Sequence, residues 1–325
     1  MQVLILVLAL AAITAGAELL VRGATLLALR MGLSSLFVGL TIVGFGTSSP
    51  ELGASLFATL EGSNEVSIGN VVGSNVFNIG VILGATALLR PIRVRLAAVR
   101  RDLLVALAAA ALPWAALVWG GELPRAFGAA MVAALAVYLG MAYRTARRAG
   151  PEEALAEQEL RSTFHIDPAP RRLADTVGFN ALLVGIGLAL LFVGSRGFVL
   201  SAIALAAAMG VSELVIGLTI VSAGTSLPEL VTSVVAARRG NPDLAIGNVI
   251  GSNIFNLLGI LGVCAVVSPQ VVPPQMLWLD LPVMFAATLA LLPILRSSGA
   301  ISRGEGGFLL AGYGVYLGAM FIRGG

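Results

Sequence analysis

Residues 43–52 read VGFGTSSPEL, and residues 221–230 read VSAGTSLPEL. Each stretch interrupts an apolar run with hydroxyls, a proline and a carboxylate. The copies belong to a longer match: residues 32–84 align with 210–262 at a constant shift of 178 and without a gap, and 29 of the 53 aligned positions are identical. Farther along, IGNVVGSNVFN (68–78) falls on IGNVIGSNIFN (246–256). An internal duplication of this kind sets the architecture before any single element is read.

Composition says where the duplicated unit resides. Of 325 residues, 58% are hydrophobic and 11% charged, whereas soluble domains run near a quarter charged. Apolar stretches of about 20 residues, each enough to cross roughly 30 Å of hydrocarbon, recur along the chain. They fall near 3–29, 34–60, 66–89, 103–120 and 123–143, then near 176–207, 212–237, 244–267, 276–295 and 306–323. The predicted fold is an all-α polytopic membrane protein of ten transmembrane helices. Residues 1–143 form a first five-helix repeat, 144–175 a cytoplasmic loop, and 176–325 a second five-helix repeat, all within one integral membrane domain. The N-terminal stretch lacks a basic leader and stays apolar to Leu29, so it reads as a retained span and not as a signal peptide.

Five spans per half is an odd number, so the second copy enters the membrane from the opposite face and the repeats are inverted. Arginine placement tests this independently, because cytoplasmic loops carry the excess of positive charge. All 20 basic residues are arginine. Sixteen fall on one face, only Arg125 and Arg323 on the other, and Arg22 and Arg196 lie within spans. Both termini are therefore expected outside and the 144–175 loop in the cytoplasm. A basic balance made of loop arginines does not point to nucleic acid. Cys264, alone and within an apolar stretch, excludes an intrachain disulfide. His165, the single histidine, lies in the central loop, so a proton relay through histidine is ruled out.

A carboxylate inside a membrane span is costly unless it is paired, wetted or bound to an ion. Glu51 and Glu229 occupy equivalent positions about halfway along their spans, with no arginine at pairing distance in the same helix. A protonated glutamate that merely ties helices together is the competing reading, and two copies in the same polar heptapeptide weigh against it. Pro50 and Pro228 each remove a donor and keep a carbonyl four residues earlier from closing its helical bond. Loosened carbonyls are expected near Gly44–Thr47 and Ser222–Thr225, beside the hydroxyls of Thr47, Ser48, Thr225 and Ser226. Unwound backbone at this depth is tolerated where it lines a cavity or binds an ion. In the following spans Ser74 and Asn78 lie four apart on one helical face, as do Ser252 and Asn256. Carboxylates, hydroxyls, amides and carbonyls without thiolate or imidazole suit hard cations such as calcium, which takes about six to eight oxygens.

The paired GTSSPEL…GNVVGSNVFN and GTSLPEL…GNVIGSNIFN resemble the two alpha-repeats of the calcium/cation antiporter superfamily, particularly prokaryotic sodium/calcium exchangers. The resemblance covers essentially all of both halves, with spans four, five, nine and ten alike only in character. It implies a secondary antiporter of the inner membrane that exchanges sodium for calcium by alternating access, with the first and sixth spans sliding across a fixed core. It also implies three sodium ions per calcium, hence electrogenic calcium extrusion. By motif position, the ion ligands it implies are Thr47, Ser48 and Glu51 with the Gly44 carbonyl; Ser74 and Asn78; Thr225, Ser226 and Glu229 with the Ser222 carbonyl; and Ser252 and Asn256. Asparagine at both Asn78 and Asn256 argues against potassium co-transport, and GTS before each glutamate favours sodium over protons. A proton-coupled calcium or manganese antiporter is the nearest alternative; a passive cation channel and a non-transporting scaffold are more distant. No nucleophile–base pair, P-loop or redox motif is visible, so neither enzyme nor cofactor is expected. The expected partners are calcium, sodium and the lipid bilayer, with no protein partner evident. Glu18 and Arg22, spaced i, i+4 on the first span, are in the favourable order for a pair within their helix; with Arg196, the repeat equivalent of Glu18, they either line the edge of the sliding spans and help set their rest positions or form a pair plus a snorkelling arginine.

Overall fold

The computed structural model describes residues 2–94, 96–146, 176–208 and 222–324. Most of the central loop, with His165, and the opening residues of the seventh predicted span lie outside the described residues. Among the described residues the chain is helical apart from two antiparallel pairs of two-residue strands. Seven helical runs are long and apolar enough to cross a membrane: Leu4–Met31, Asn64–Leu89, Leu96–Trp119, Arg125–Ala146, Val177–Ser201, Pro242–Val267 and Pro274–Ser297. They coincide with the first, third, fourth, fifth, sixth, eighth and ninth predicted spans. The protein is a helical membrane protein.

The other three predicted spans depart for physical reasons. The second is not one helix: a short apolar run, Ser35–Thr47, stops and a new helix, Ser49–Leu60, begins. The described part of the seventh breaks in the same way, between Ser222–Thr225 and Leu227–Arg238. The tenth is a 22-residue helix, Arg303–Gly324, whose apolar character is diluted by glycine and by charges near its ends.

The chain divides into two compact units, each built from both halves of the sequence. The first contains Met1–Thr47 and Leu139–Asn248, and the second Ser48–Tyr138 and Val249–Gly325. In the first unit, the helix Gln2–Met31 packs along the helix Val177–Ala208. Small residues set their approach: a Cβ added at Gly187 would lie 2.6 Å from the Leu20 nitrogen, and one at Gly16 2.8 Å from the Gly187 carbonyl oxygen. Close backbone contact through glycine is how membrane helices gain packing energy where no hydrophobic force separates protein from lipid. Ile13, Leu20, Val21, Ala24 and Leu191 fill the buried seam. At its border Glu18 pairs with Arg239, at 2.6 Å to Nη2 and 2.9 Å to Nε, and not with Arg22. The i+4 spacing offered a partner on the same helix; the guanidinium from the end of Leu227–Arg238 offers two donors at once.

The second unit carries the 178-residue shift into regions where sequence identity has faded. The strand pairs are Ile92↔Ile301 with Arg93↔Ala300, and Leu123↔Gln270 with Glu122↔Val271. Adding or subtracting the shift converts one register into the other. Tyr138 donates to Asp102 at 3.0 Å, and Tyr316, one shift away, donates to Asp280 at 2.7 Å. A Cβ at Gly84 would meet the Gly306 carbonyl oxygen at 2.9 Å, and one at Gly128 would meet that of Gly262 at 2.6 Å, again one shift apart. Arg125 donates to the carbonyl of Val267, and Arg303 to that of Leu88, each near the end of a helix where carbonyls lack intrahelical donors. The duplication persists in the hydrogen bonds and close contacts of spans whose sequences have drifted.

Two outcomes follow from these bonds. Tyr138→Phe removes a hydrogen bond from the buried Asp102, which keeps Arg101 at 3.6 Å, and should cost about 0.5–1.5 kcal/mol, read as a lower melting temperature in detergent; Tyr316→Phe should cost less, because Asp280 is only half-buried. Glu18→Gln and Arg239→Gln each remove the same exposed ion pair. Each should lower stability by at most about 1 kcal/mol, and the double variant should be no worse than the poorer single one.

Candidate functional site

The repeated motif places a carboxylate where a helix restarts. Pro50 and Pro228 lack the N–H that would continue the preceding helix, and the residue before a proline is biased away from helical backbone. The structure confines the break to one residue. Gly44–Thr47 is still a helical turn, Ser48 leaves it at φ −82°, ψ 8°, and Ser49–Leu60 begins immediately. In the second copy Ser226 leaves at φ −91°, ψ 9°, between Ser222–Thr225 and Leu227–Arg238. The longer unwinding expected around Gly44–Thr47 does not occur. The missing Pro50 amide deprives only the Gly46 carbonyl of its helical partner, so the turn before it survives; there the Thr47 hydroxyl lies 3.0 Å from the Val43 carbonyl and 3.4 Å from that of Gly44.

Glu51 and Glu229 fall in the first turn of the restarted helices. Both are 1% exposed. The unpaired amides and macrodipole of a helix N-terminus favour negative charge there, so the break supplies a place for an ionised carboxylate deep in an apolar chain. Thr47, Ser48, Ser226, Ser74, Asn78, Ser252 and Asn256 are buried, and Thr225 is half-buried.

The twelve sequence-predicted residues divide evenly between the compact units. Gly44, Thr47, Ser222, Thr225, Ser226 and Glu229 belong to the first; Ser48, Glu51, Ser74, Asn78, Ser252 and Asn256 belong to the second. Within the first unit the Glu229 helix packs on the Gly44–Thr47 turn. Within the second, the Glu51 helix and the helix carrying Ser74 both pack on the Phe255–Leu261 segment that holds Asn256. Each unit therefore packs the helix that carries one repeat's glutamate against a segment of the other repeat that carries candidate oxygen donors.

Two features escaped the sequence reading. The first is a pair of asparagine clamps. Asn248 Nδ2 donates to the main-chain oxygen of Glu229 at 3.2 Å and to Ser233 Oγ at 2.9 Å. Asn70, one shift earlier, donates to the Glu51 main-chain oxygen at 3.2 Å and to Ser55 Oγ at 2.9 Å. The Asn248 Oδ1 also lies 3.1 Å from the Thr47 hydroxyl. Extending the Ser74/Asn78 face back by four residues reaches Asn70, so the helical spacing held the signal. The second feature is π-helical backbone, at Gly39–Val43, Asn78–Leu83 and Phe255–Leu261. The last two are repeat-related, and such wide turns favour functional positions because they misalign backbone bonds. Nothing in residue identity marks them.

In the second unit, amides gather at these wide turns. Asn78 Nδ2 donates to Asn253 Oδ1 at 2.9 Å, and Asn253 Nδ2 reaches the Asn75 carbonyl at 3.5 Å. Asn256 is 0% exposed, and neither its Oδ1 nor its Nδ2 has a hydrogen-bond partner; Asn78 Oδ1 is likewise unsatisfied. A buried polar atom left so costs about 1–3 kcal/mol, and an amide oxygen in that condition is a ready donor to a cation. Among the described residues no three His, Cys, Asp or Glu side chains group together. The donors at hand are single carboxylates with hydroxyls and amides, a set suited to hard cations.

Comparison with known proteins agrees with this donor chemistry. The family model described as "Sodium/calcium exchanger protein" matches residues 1–144 and 179–322, two segments separated by the same 178-residue shift as the repeats. The chain is 36% identical over 300 residues to a putative antiporter, CaxA, of Alkalimonas amylolytica, covering 91% of each chain. It is 34% identical to the inner membrane protein YrbG of Escherichia coli, covering 98% of this chain and 96% of that one. It is also 34% identical to the sodium/calcium exchanger MaX1 of Methanosarcina acetivorans, covering 98% of both. Among solved structures, the sodium-calcium exchanger NCX_Mj soaked with sodium and calcium superposes with a TM-score of 0.81 at 29% identity, covering 98% of this chain and 97% of that one.

Proposed function

The chain belongs to the sodium/calcium exchanger protein family, and we propose that it is a secondary antiporter exchanging sodium for calcium across the membrane. The observation that carries this reading is the repeated carboxylate: Glu51 and Glu229, each 1% exposed and each in the first turn of a helix restarted by proline. In each compact unit the helix of such a glutamate packs against a segment of the opposite repeat that carries hydroxyl or amide groups. The relative named a sodium/calcium exchanger, and the NCX_Mj structure soaked with both ions, support the choice of cations.

On this reading the first unit holds ions with the side chains of Thr47, Thr225, Ser226 and Glu229 and the carbonyls of Gly44 and Ser222, and the second with the side chains of Ser48, Glu51, Ser74, Asn78, Ser252 and Asn256. Two carboxylates balance one calcium or two sodium ions. A third sodium leaves one positive charge uncompensated, so an exchange of three for one is electrogenic and the inward sodium gradient drives calcium out. Ten spans in two inverted repeats, both termini outside and the 144–175 loop cytoplasmic, follow from the arginine segregation. The E. coli relative's name supports an inner-membrane location. Alternating access requires some helices to move as a body. The glycine-tight pairing of Gln2–Met31 with Val177–Ala208 supports these two as the mobile pair.

Proteoliposomes loaded with sodium and diluted into sodium-free ⁴⁵Ca²⁺ should accumulate calcium, and dissipating the sodium gradient should stop them. Glu51→Gln and Glu229→Gln should each lower the rate by roughly a hundredfold or more, the scale on which loss of one partner of a buried charge is felt. Uptake that follows an imposed pH gradient and ignores sodium would instead assign proton coupling. Flux that needs no counter-ion would overturn the antiporter altogether.

A further inference from the structure

Asn248 is 0% exposed and stands at a junction. Its amide nitrogen holds the main-chain oxygen of Glu229 at 3.2 Å and Ser233 Oγ at 2.9 Å, while its amide oxygen lies 3.1 Å from the hydroxyl of Thr47. All four residues belong to the first compact unit. Glu229 comes from one repeat and Thr47 from the other, so one buried side chain spans two of the proposed ion ligands. Asn70 makes the same two donor bonds to Glu51 and Ser55, at the same distances.

We propose that Asn248 and Asn70 are positioning residues that fix Glu229 and Glu51 for ion binding, a role that rests on the exchanger reading. The physical reason lies in what a helix start lacks. The first turn of Leu227–Arg238 follows a break and contains a proline, so its backbone is not held by the preceding turn as a helix interior would be. The amide from the neighbouring helix grips that turn at Glu229 itself and, four residues on, at Ser233. Its oxygen competes with the Val43 carbonyl for the single proton of Thr47, leaving that hydroxyl's lone pairs a defined direction. Calcium needs most of its oxygens at about 2.3–2.6 Å together, so a loosened carboxylate and a freely rotating hydroxyl weaken binding before they slow any later step.

The test uses the purified full chain and two readouts: ⁴⁵Ca²⁺ uptake by sodium-loaded proteoliposomes, and the calcium dependence of the melting temperature, which reports binding without transport. Asn248→Ala should raise the half-saturating calcium concentration about tenfold in both, the scale expected when the buried hydrogen bond to the Glu229 main chain is lost together with those to Ser233 and Thr47, which carry less of the effect, with the maximal uptake rate changed less than about threefold. Ser233→Ala removes a partner of Asn248 that is not a proposed ligand, and should move the same quantity in the same direction by a smaller factor. Because Ser233 acts only through the amide, the double variant should match Asn248→Ala alone. Wild-type half-saturation in Asn248→Ala overturns the proposal, and so do effects that multiply in the double variant. If Asn248→Ala does not fold, Ser233→Ala decides: unchanged calcium half-saturation in the melting experiment overturns it. Wild-type protein that binds calcium but does not exchange it defeats the antiporter reading while the binding readout still judges the clamp. Wild-type protein that binds no calcium defeats both.

Discussion

Everything in this molecule is arranged around a single electrostatic difficulty, the presence of two carboxylates in a chain that excludes water. Glu51 and Glu229 are buried to 1% exposure, in a protein whose composition is 58% hydrophobic. An isolated ionised group in such surroundings would take up a proton. The break in each motif changes the terms. Restarting a helix one residue after stopping it creates an N-terminus inside the protein, with amides that have no intrahelical acceptor and a dipole whose positive end favours the carboxylate. Proline serves both events, since it cannot donate to the old helix and is at home in the first turn of the new one. The same residue that disrupts the span prepares the position of the charge beside it.

Duplication then has a structural meaning beyond sequence likeness. Neither compact unit is one repeat folded on itself. The Glu229 helix finds the Gly44–Thr47 turn, and the Glu51 helix finds the segment with Asn256. The mini-sheets behave likewise, since Ile92 pairs with Ile301 and Leu123 with Gln270, each strand taking its partner from the other half. A chain organised in this way cannot complete either donor set from one copy alone. Paired contacts such as Tyr138–Asp102 and Tyr316–Asp280 persist one shift apart although the surrounding apolar residues have drifted.

Much of this was legible in residues alone. The shift of 178, the helical class, the buried glutamates and the oxygen-rich donor set all come from identity and spacing. Seven of the predicted spans are seen as long apolar helices. What could not be read is geometry that depends on partners distant in sequence. Glu18 was assigned Arg22 because spacing reveals only neighbours on one helix, whereas Arg239 approaches from another. The π-helical turns at Asn78–Leu83 and Phe255–Leu261 are backbone events compatible with many side chains. Unwinding does not spread over Gly44–Thr47 because the proline removes a single amide, and losing one bond does not undo the turn before it. Asn70 and Asn248 share a helical face with Ser74 and Ser252, but spacing does not reveal the main-chain oxygens they reach.

The two copies also differ in a way that separates fastening from function. In the first repeat, the hairpin between Ser49–Leu60 and Asn64–Phe77 carries a further polar contact above the clamp: Thr59 donates to Ser67 Oγ at 2.9 Å. The equivalent residues in the second repeat are Ala237 and Ala245, both buried. Two methyl groups replace two hydroxyls, and no buried polar atom is stranded, which is the condition under which exchanging a hydrogen bond for apolar contact is nearly neutral. One helical turn away, no such exchange is available at Asn70 and Asn248. Their amides hold a main-chain carbonyl, which cannot itself be replaced, so an apolar side chain there would leave an oxygen buried beside the glutamate without its second donor. The hydroxyl pair near the turn is one of several ways to close a hairpin. The asparagine clamp is bound to the carboxylate by the one part of that residue that substitution cannot remove.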